Sequence, residues 1–118
     1  MLLAGGVGGG GSVRTAELYN PASGTFLPTG PLSAGRQFHA AVLLPDGRVL
    51  VSGGFGAAGD LTSAEVYDLD TRTWSPTGAM SQPRQAATVT WLDNDKVLVT
   101  GGMNESGEPR ASAELYQP

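Results

Sequence analysis

A repeat of 48 residues is the feature that most restricts how this chain can fold. A pair of glycines returns at this interval, as Gly5-Gly6, Gly53-Gly54 and Gly101-Gly102. A tyrosine follows each pair, as Tyr19, Tyr67 and Tyr116, the last of them one residue late because the loop after the third glycine pair has an extra residue. Self-similarity at a fixed period predicts an architecture built from copies of one small unit.

The positions between these anchors keep the same register. Phe26 matches Trp74, and Arg36 matches Arg84, both at an offset of 48 without a gap. A side chain that recurs at equivalent positions serves a purpose that every unit needs, whereas an active site is unique. We therefore expect the two arginines, and the glutamates that also recur, to satisfy buried polar contacts, and the aromatic residues to belong to the core.

The local patterns within one period predict four strands. They cover residues 40–44, 49–52, 64–69 and 73–76. The turn Pro45-Asp46-Gly47 suits a tight hairpin between the first two strands. Eighteen glycines, eight prolines and the absence of sustained helical periodicity agree with an all-β chain of short strands joined by turns. A lone sheet that is apolar on both faces needs neighbouring sheets to cover it.

The order of these residues resembles the kelch motif. A glycine pair ends an apolar strand, a tyrosine follows, and an aromatic residue comes seven positions after the tyrosine, as in Gly53-Gly54, Tyr67 and Trp74. The resemblance implies a kelch-type β-propeller made of four-stranded antiparallel blades. Two departures are that Phe26 replaces the usual tryptophan, and that Ala87 stands where His39 would recur.

The count and phase of the repeat predict a propeller fragment of about two and a half blades. We expect an incomplete blade with its second, third and fourth strands at 1–35, a complete blade at 36–83, and an incomplete blade with its first three strands at 84–118. Propellers close with four to eight blades. The chain is therefore interpreted as a piece of a larger propeller, and its open blade edges predict self-association.

Charge and composition narrow the classes of partner. The net charge is −4, and the seven Lys and Arg residues do not cluster, so nucleic acid is not an expected partner. There is no signal-peptide or membrane-spanning segment in the sequence, which leaves the compartment undetermined and a secreted parent protein open. The absence of cysteine removes thiolate chemistry and cysteine-ligated metal sites.

Several motifs resemble ligand-binding, catalytic or modification sites, but a structural interpretation is simpler for each. Residues 6–11 match a dinucleotide-binding glycine pattern, yet they lead into a strand rather than a helix. His39 is the only histidine, so it favours a structural role over a catalytic triad or a metal site. Residues 93–95 hold oxygen ligands suited to calcium but align with a hairpin turn. Asn104 begins a glycosylation sequon, which matters only in a secreted protein.

Recognition is expected in the loops that follow the glycine pairs, because these loops vary while the strands repeat. They cover residues 7–15, 55–63 and 103–112. The candidate binding residues within them are Arg14, Phe55, Asp60, Asn104, Glu105 and Arg110.

The favoured function is a non-catalytic interaction module that needs no cofactor or metal and binds a protein or a carbohydrate through these loops. This follows from the kelch resemblance and from the lack of a convergent set of titratable side chains. The alternative is part of the propeller of an enzyme similar to galactose oxidase. That resemblance implies a copper site with a tyrosine crosslinked to a cysteine, and histidines, which this chain does not supply, so the active site of such an enzyme would lie elsewhere.

Overall fold

The computed structural model describes residues 1–117, which form antiparallel β-strands and no helix. The strands are, in chain order, β1 Leu2–Ala4, β2 Val7–Gly8, β3 Gly11–Ser12, β4 Ala16–Asn20, β5 Thr25–Thr29, β6 Ala40–Leu43, β7 Val49–Ser52, β8 Phe55–Gly56, β9 Gly59–Asp60, β10 Ala64–Asp68, β11 Thr73–Thr77, β12 Thr88–Leu92, β13 Lys96–Thr100 and β14 Ala113–Tyr116. The predicted all-β class is confirmed. Within the described residues there is thus no helix that could span a membrane.

The middle sheet has four antiparallel strands in the order β11-β10-β7-β6. The turn between β6 and β7 closes with a hydrogen bond of 3.0 Å from the Gly47 amide to the Leu44 carbonyl. The Asp46 side chain accepts a hydrogen bond from the Arg48 amide and so fixes the turn. All four strands occur where the sequence predicts them, with C-terminal ends that differ by at most one residue because strand termini depend on single backbone bonds.

The first and third sheets have three strands each. Their orders are β1-β4-β5 and β12-β13-β14, and each strand lies 48 or 49 residues from its counterpart in the middle sheet. The three sheets agree with kelch blades, and residues 1–117 do not close a propeller ring. The blade boundaries after residues 35 and 83 remain predictions, and Pro118 lies outside the described residues.

The main hydrophobic core lies between the middle and third sheets. It is built from alternating residues of facing strands, as expected for two packed sheets. Its buried members are Leu44, Leu50, Ala64, Val66, Val97 and Val99. Val42 on β6 and Val89 and Trp91 on β12 pack against this cluster. The inner strands β6 and β12 are therefore neighbours in the core as well as equivalents in sequence.

An aromatic pair connects the middle sheet to the first one. The rings of Tyr67 and Trp74 lie opposite each other on β10 and β11 with their centroids 5.1 Å apart. The Tyr67 hydroxyl shares a 2.6 Å hydrogen bond with the Thr29 hydroxyl, and Trp74 Nε1 donates a 2.8 Å hydrogen bond to the Gly30 carbonyl. The middle repeat thus uses its aromatic pair to hold the preceding repeat.

The glycine pair that ends β7 allows close contact with the following repeat. Gly53 has a φ of 67°, and a Cβ atom at this position would lie 2.5 Å from the Arg84 carbonyl oxygen. The Gly54 amide donates a 2.7 Å hydrogen bond to that same carbonyl. A side chain at position 53 would therefore be strained in its backbone and would collide with the next unit.

Candidate functional site

The loops after the three glycine pairs form one continuous surface, which we call the loop ridge (residues 7–15, 55–63 and 103–112). The first loop contains the short hairpin β2-β3, and the second contains the equivalent hairpin β8-β9. The third is held by isolated bridges from Met103 to Gln85 and to Pro109. The sequence predicted variable loops, but it gave no sign that two of them would form hairpins of two-residue strands.

The first and second loops are joined by Ser12. Its hydroxyl donates a 3.0 Å hydrogen bond to the Phe55 carbonyl and accepts one of 3.1 Å from Gln37 Nε2. The Gln37 and Phe55 backbones also exchange hydrogen bonds of 2.9 and 2.8 Å. The candidate residue Phe55 is thus anchored through its backbone, and its half-buried ring lies on the ridge.

The second and third loops are joined by Asp60, which occupies the position equivalent to Ser12. One carboxylate oxygen accepts a 2.5 Å hydrogen bond from Gln85 Nε2, and the other accepts one of 2.7 Å from the Glu105 amide. Because Gln85 is the counterpart of Gln37, the same pair of positions connects consecutive loops twice. The Asp60 carboxylate therefore stabilises the ridge through both of its oxygens.

The two candidate arginines fasten the ridge to the segments that lead into β6 and β12. Arg14 Nε donates a 2.7 Å hydrogen bond to the carbonyl of Leu32, a residue with no exposed surface. Arg110 Nε donates one of 2.6 Å to the Pro83 carbonyl. The Arg14 residue as a whole is exposed and the Arg110 residue is half-buried, so a ligand at the ridge would meet the outer part of the Arg14 guanidinium first.

The tip of the third loop is shaped by Asn104. Its side-chain oxygen accepts hydrogen bonds of 3.0 Å from both the Ser106 and Glu108 amides. This is the local side-chain-to-backbone bonding that asparagine favours in turns. Glu105 is exposed, and it is held through its backbone while its carboxylate lies beside Gly59 of the second loop. Glu105 therefore presents charge where two loops meet.

The recurring arginine and glutamate form a buried polar cluster beneath the ridge. Arg36 donates hydrogen bonds to the Gly53 and Ser63 carbonyls and to the Ser63 hydroxyl, and its Nη2 lies 3.1 Å from Glu65 Oε2. Glu65 also accepts a 2.8 Å bond from the Ser33 amide. The cluster ties the segment that enters the middle sheet to the two strands β7 and β10.

The third sheet repeats this cluster at Arg84. Its guanidinium donates to the carbonyls of Gly101 and Ser112, to the Ser112 hydroxyl and to Glu114. Burial raises the pKa of Glu114, but hydrogen bonds from Ser81, Gln82 and Arg84 outweigh it, so that its pKa lies below the ordinary value. Its side chain is 20% exposed, against 2% for Glu65. The second cluster is the less enclosed of the two.

His39 lies in the gap between the first and middle sheets, beside the first glycine pair. Burial and the neighbouring positive charge of Arg36 lower its pKa, and a hydrogen bond involving the Ala4 backbone acts in the opposite direction. Its buried Nδ1 atom has no hydrogen-bond partner within residues 1–117. Its Cε1 atom would lie 2.9 Å from a Cβ atom at Gly5, so the ring packs against the first glycine pair.

The remaining chemical motifs have structural explanations. Residues 93–95 form the turn between β12 and β13, and the Asp95 amide donates to the Leu92 carbonyl. Across the part of the chain that the structure describes, no three His, Cys, Asp or Glu side chains are grouped as metal ligands would be. The arrangement supplies hydrogen-bonding and apolar contact surfaces.

Comparison with known families agrees with this architecture. Residues 38–81, which contain β6 to β11, match the family model of the Kelch motif. This stretch of the chain is therefore similar to a kelch repeat. The match covers the whole middle sheet of the kelch unit, including the Tyr67 and Trp74 pair, and confirms the resemblance inferred from those residues. No curated protein matches the chain.

Two parts of this surface were missed by sequence reasoning. The glutamines at positions 37 and 85 recur at the 48-residue interval, but the sequence does not show that each would reach the preceding loop. Phe38 and Ala86 occupy equivalent positions of the repeat, and both have positive φ values, 55° and 53°. A sequence gives no sign of a positive φ when the position is occupied by a residue other than glycine. In Phe38 this conformation leaves a ring that is 60% exposed.

Proposed function

We propose that this chain is a non-catalytic kelch-repeat module, belonging to a propeller larger than these residues, which binds a protein partner through the loop ridge. Kelch repeats commonly mediate protein interactions. The observation that carries the proposal is the joining of consecutive loops through Ser12 and Asp60. These bonds hold three variable loops in one fixed surface, and a preorganised surface loses little entropy on binding.

The chemistry of the ridge suits a protein better than a small substrate. Val7 and Met103 supply exposed apolar area, and Phe38 adds an exposed ring at the ridge margin. Arg14 and Glu105 add charges of opposite sign that are exposed. An apolar patch with a polar border is typical of protein recognition. A carbohydrate is the second ligand class, because an exposed aromatic ring also provides a face for a sugar.

Site-directed crosslinking tests this proposal. A photoreactive amino acid placed at position 105 is expected to capture a partner protein from the host organism, whereas the same group at position 46, in the turn between β6 and β7, is expected to capture none. The variant Arg14→Ala combined with Phe38→Ala should abolish capture from position 105. Equal capture from both positions would contradict a role for the ridge.

Two further measurements separate the alternatives. On an array of immobilised glycans, binding that disappears in Phe38→Ala would show that the ligand is a carbohydrate and not a protein. A titration with copper(II) addresses membership of a propeller similar to galactose oxidase. Tight stoichiometric uptake by this chain would contradict a non-catalytic module, and we expect only weak, nonstoichiometric association.

A further inference from the structure

The left-handed backbone at Phe38, in the segment that leads into β6, belongs to the repeat. Phe38 has a φ of 55°, and the equivalent Ala86 has a φ of 53°. The two positions also contact each other, because the Ala86 amide donates a 2.7 Å hydrogen bond to the Phe38 carbonyl. This backbone shape therefore forms with a methyl group as well as with an aromatic ring, and it does not require the ring.

The Phe38 side chain makes this conformation less favourable and is poorly buried. A left-handed backbone is unfavourable for any residue with a Cβ atom, and a bulky residue there is a genuine outlier. The ring is 60% exposed, so the burial of apolar area offsets little of this strain. Strained positions are concentrated at sites of ligand contact. A bulky side chain at a position that is both strained and exposed therefore indicates a use outside the fold.

A second exposed apolar side chain, Met103, lies on the other side of the segment that contacts Phe38. Gln85, which precedes Ala86, exchanges two backbone hydrogen bonds of 2.9 Å with Met103. Met103 is 38% exposed. Phe38 and Met103 thus flank one short segment. Phenylalanine and methionine are both enriched in protein interfaces, and methionine adapts its shape to the group that it meets.

Glu105 adds a negative charge next to this apolar pair. It lies two residues after Met103, and its amide donates to the Asp60 carboxylate, which also accepts a hydrogen bond from Gln85. Glu105 is exposed and forms no ion pair with another of residues 1–117. A basic side chain of a partner would complement this carboxylate, whereas an acidic one would be repelled by it and by the net charge of −4.

We propose that Phe38 and Met103 together hold an apolar side chain of the protein partner, and that a lysine or arginine beside that side chain meets Glu105. This inference rests on the function proposed above, because it assigns the chemistry of the partner at the second and third loops of the ridge. The two apolar side chains supply the anchor, and Glu105 orients the partner. A few anchoring residues commonly carry most of the affinity of an interface.

Thermal unfolding tests whether the Phe38 ring is free for recognition. Phe38→Ala makes this position identical to its counterpart Ala86, and it should unfold at the same temperature as the unchanged chain or at a higher one. A clear decrease in the unfolding temperature would show that the ring serves the fold, and it would overturn the proposal.

A phage-displayed library of random linear peptides provides the probe for binding. Peptides selected on the intact chain are expected to share a lysine or arginine beside an aliphatic or aromatic residue. Synthetic versions, followed by fluorescence anisotropy, should bind Phe38→Ala at least about tenfold more weakly than the unchanged chain. The matched control is Leu69→Ala, an exposed apolar position in the turn between β10 and β11 at the opposite end of the middle sheet, and it should leave binding unchanged.

A charge reversal tests the assignment of Glu105. Glu105→Lys should weaken binding by about two- to fivefold, as expected for the loss of an exposed ion pair. A peptide whose basic residue is replaced by glutamate should bind the unchanged chain more weakly but recover affinity for Glu105→Lys. Asp70→Lys, which reverses an exposed charge in the same turn as Leu69, should alter neither affinity.

The outcomes separate this proposal from the function on which it rests. A selection without binding peptides, peptides that lack the basic and apolar pair, or equal binding by Phe38→Ala would overturn the proposal. If such peptides lose binding to Arg14→Ala instead, the loop ridge remains the binding surface and only the partner chemistry is wrong. If they lose binding only to Leu69→Ala or Asp70→Lys, they bind outside the ridge, and the proposed function is wrong as well.

Discussion

Arg36 and Glu65 form an ion pair of 3.1 Å whose two side chains are 0% and 2% exposed. Taking two charges out of water is costly, and the pair is tolerated because Gly53, Ser63 and Ser33 supply the additional hydrogen bonds. The equivalent pair of Arg84 and Glu114 has the counterparts Gly101, Ser112 and Ser81 as partners, and its carboxylate is more exposed. The repeat thus contains two versions of one cluster that differ chiefly in burial.

Replacing Arg36 by alanine should destabilise the chain more than replacing Arg84. Removing one partner of a buried pair leaves an uncompensated charge and costs about 3–5 kcal/mol. In Arg84→Ala, the Glu114 carboxylate keeps the Ser81 amide and partial contact with water, so the loss should be smaller. Urea unfolding of both variants measures the difference, and an Arg84→Ala variant as stable as the parent would contradict the structural role.

The glycine at position 53 should tolerate substitution less well than the glycine at position 47. Gly47→Ala introduces only an unfavourable positive φ, at 90°, with open space around the new Cβ atom, and should cost about 1–2 kcal/mol. Gly53→Ala adds a collision with the Arg84 carbonyl of the next unit. Thermal unfolding of the two variants makes the comparison. Equal losses would mean that close contact between units is not what position 53 requires.

Trp74→Phe should lower the free energy of unfolding by about 1 kcal/mol, because it removes a single neutral hydrogen bond to the Gly30 carbonyl and keeps an aromatic ring. The reverse change, Phe26→Trp, serves as the control. Phe26 is 50% exposed, so a new indole there should leave stability nearly unchanged. A gain from Phe26→Trp equal to the loss from Trp74→Phe would show that ring size matters more than the hydrogen bond.

Asp60→Ala should loosen the third loop while leaving the sheets intact. The variant removes the acceptor of the Glu105 amide, whose hydrogen exchange should therefore accelerate. Ser12→Ala, the equivalent change in the first loop, should leave exchange at Glu105 unaltered, because the Ser12 hydroxyl bonds Gln37 and Phe55 and not the third loop. Unchanged exchange at Glu105 in Asp60→Ala would show that the third loop is held in another way.

Stability should decrease as the pH falls below about 6.5, through His39. Burial and Arg36 lower the pKa of the folded imidazole below its ordinary value of 6.5, so the unfolded chain takes up this proton first. Proton uptake by the unfolded state reduces stability from that pH down to the folded pKa. Chemical unfolding at a series of pH values measures the slope.

His39→Gln is the control for this pH dependence. The variant should lose the slope near pH 6 and keep the decline at lower pH. Glu114 contributes to that lower decline, because its folded pKa lies below the ordinary value of 4.5 and its stabilisation is lost as the pH falls through the folded pKa. A slope near pH 6 that survives in His39→Gln would assign the effect to another group.

The strands could be predicted from sequence because period, turn chemistry and repetition agree at each position. The seven-residue spacing from Tyr67 to Trp74 is repeated from Tyr19 to Phe26. The segment that contains Tyr67 and Trp74 matches the Kelch motif. The loop ridge could be predicted only as variable sequence. Its geometry depends on Asp60 meeting Gln85 and Glu105, residues 25 and 45 positions away. No local pattern encodes which polar side chains will meet across loops.

The burial of individual apolar residues was also beyond sequence reasoning. Leu43 and Val49 read as ordinary core residues in a strand pattern, and only the three-dimensional comparison with Trp91 and Val97 shows that they are under-covered. Burial depends on what lies across the interface, and the residues themselves do not carry that information. The sequence therefore indicates which residues are apolar core positions, but it does not show which of them are covered by neighbouring side chains.

The bonds between neighbouring units connect positions that recur with the repeat. The Tyr67 hydroxyl meets Thr29, and the Tyr116 hydroxyl meets Thr77, with the later pair one residue further apart in sequence. A genetic duplication or loss of one 48-residue stretch would consequently regenerate the same type of junction wherever the breakpoints fell. Such a gene can change its number of copies without inventing a new contact, and the extra residue in the third loop shows where the period itself can lengthen.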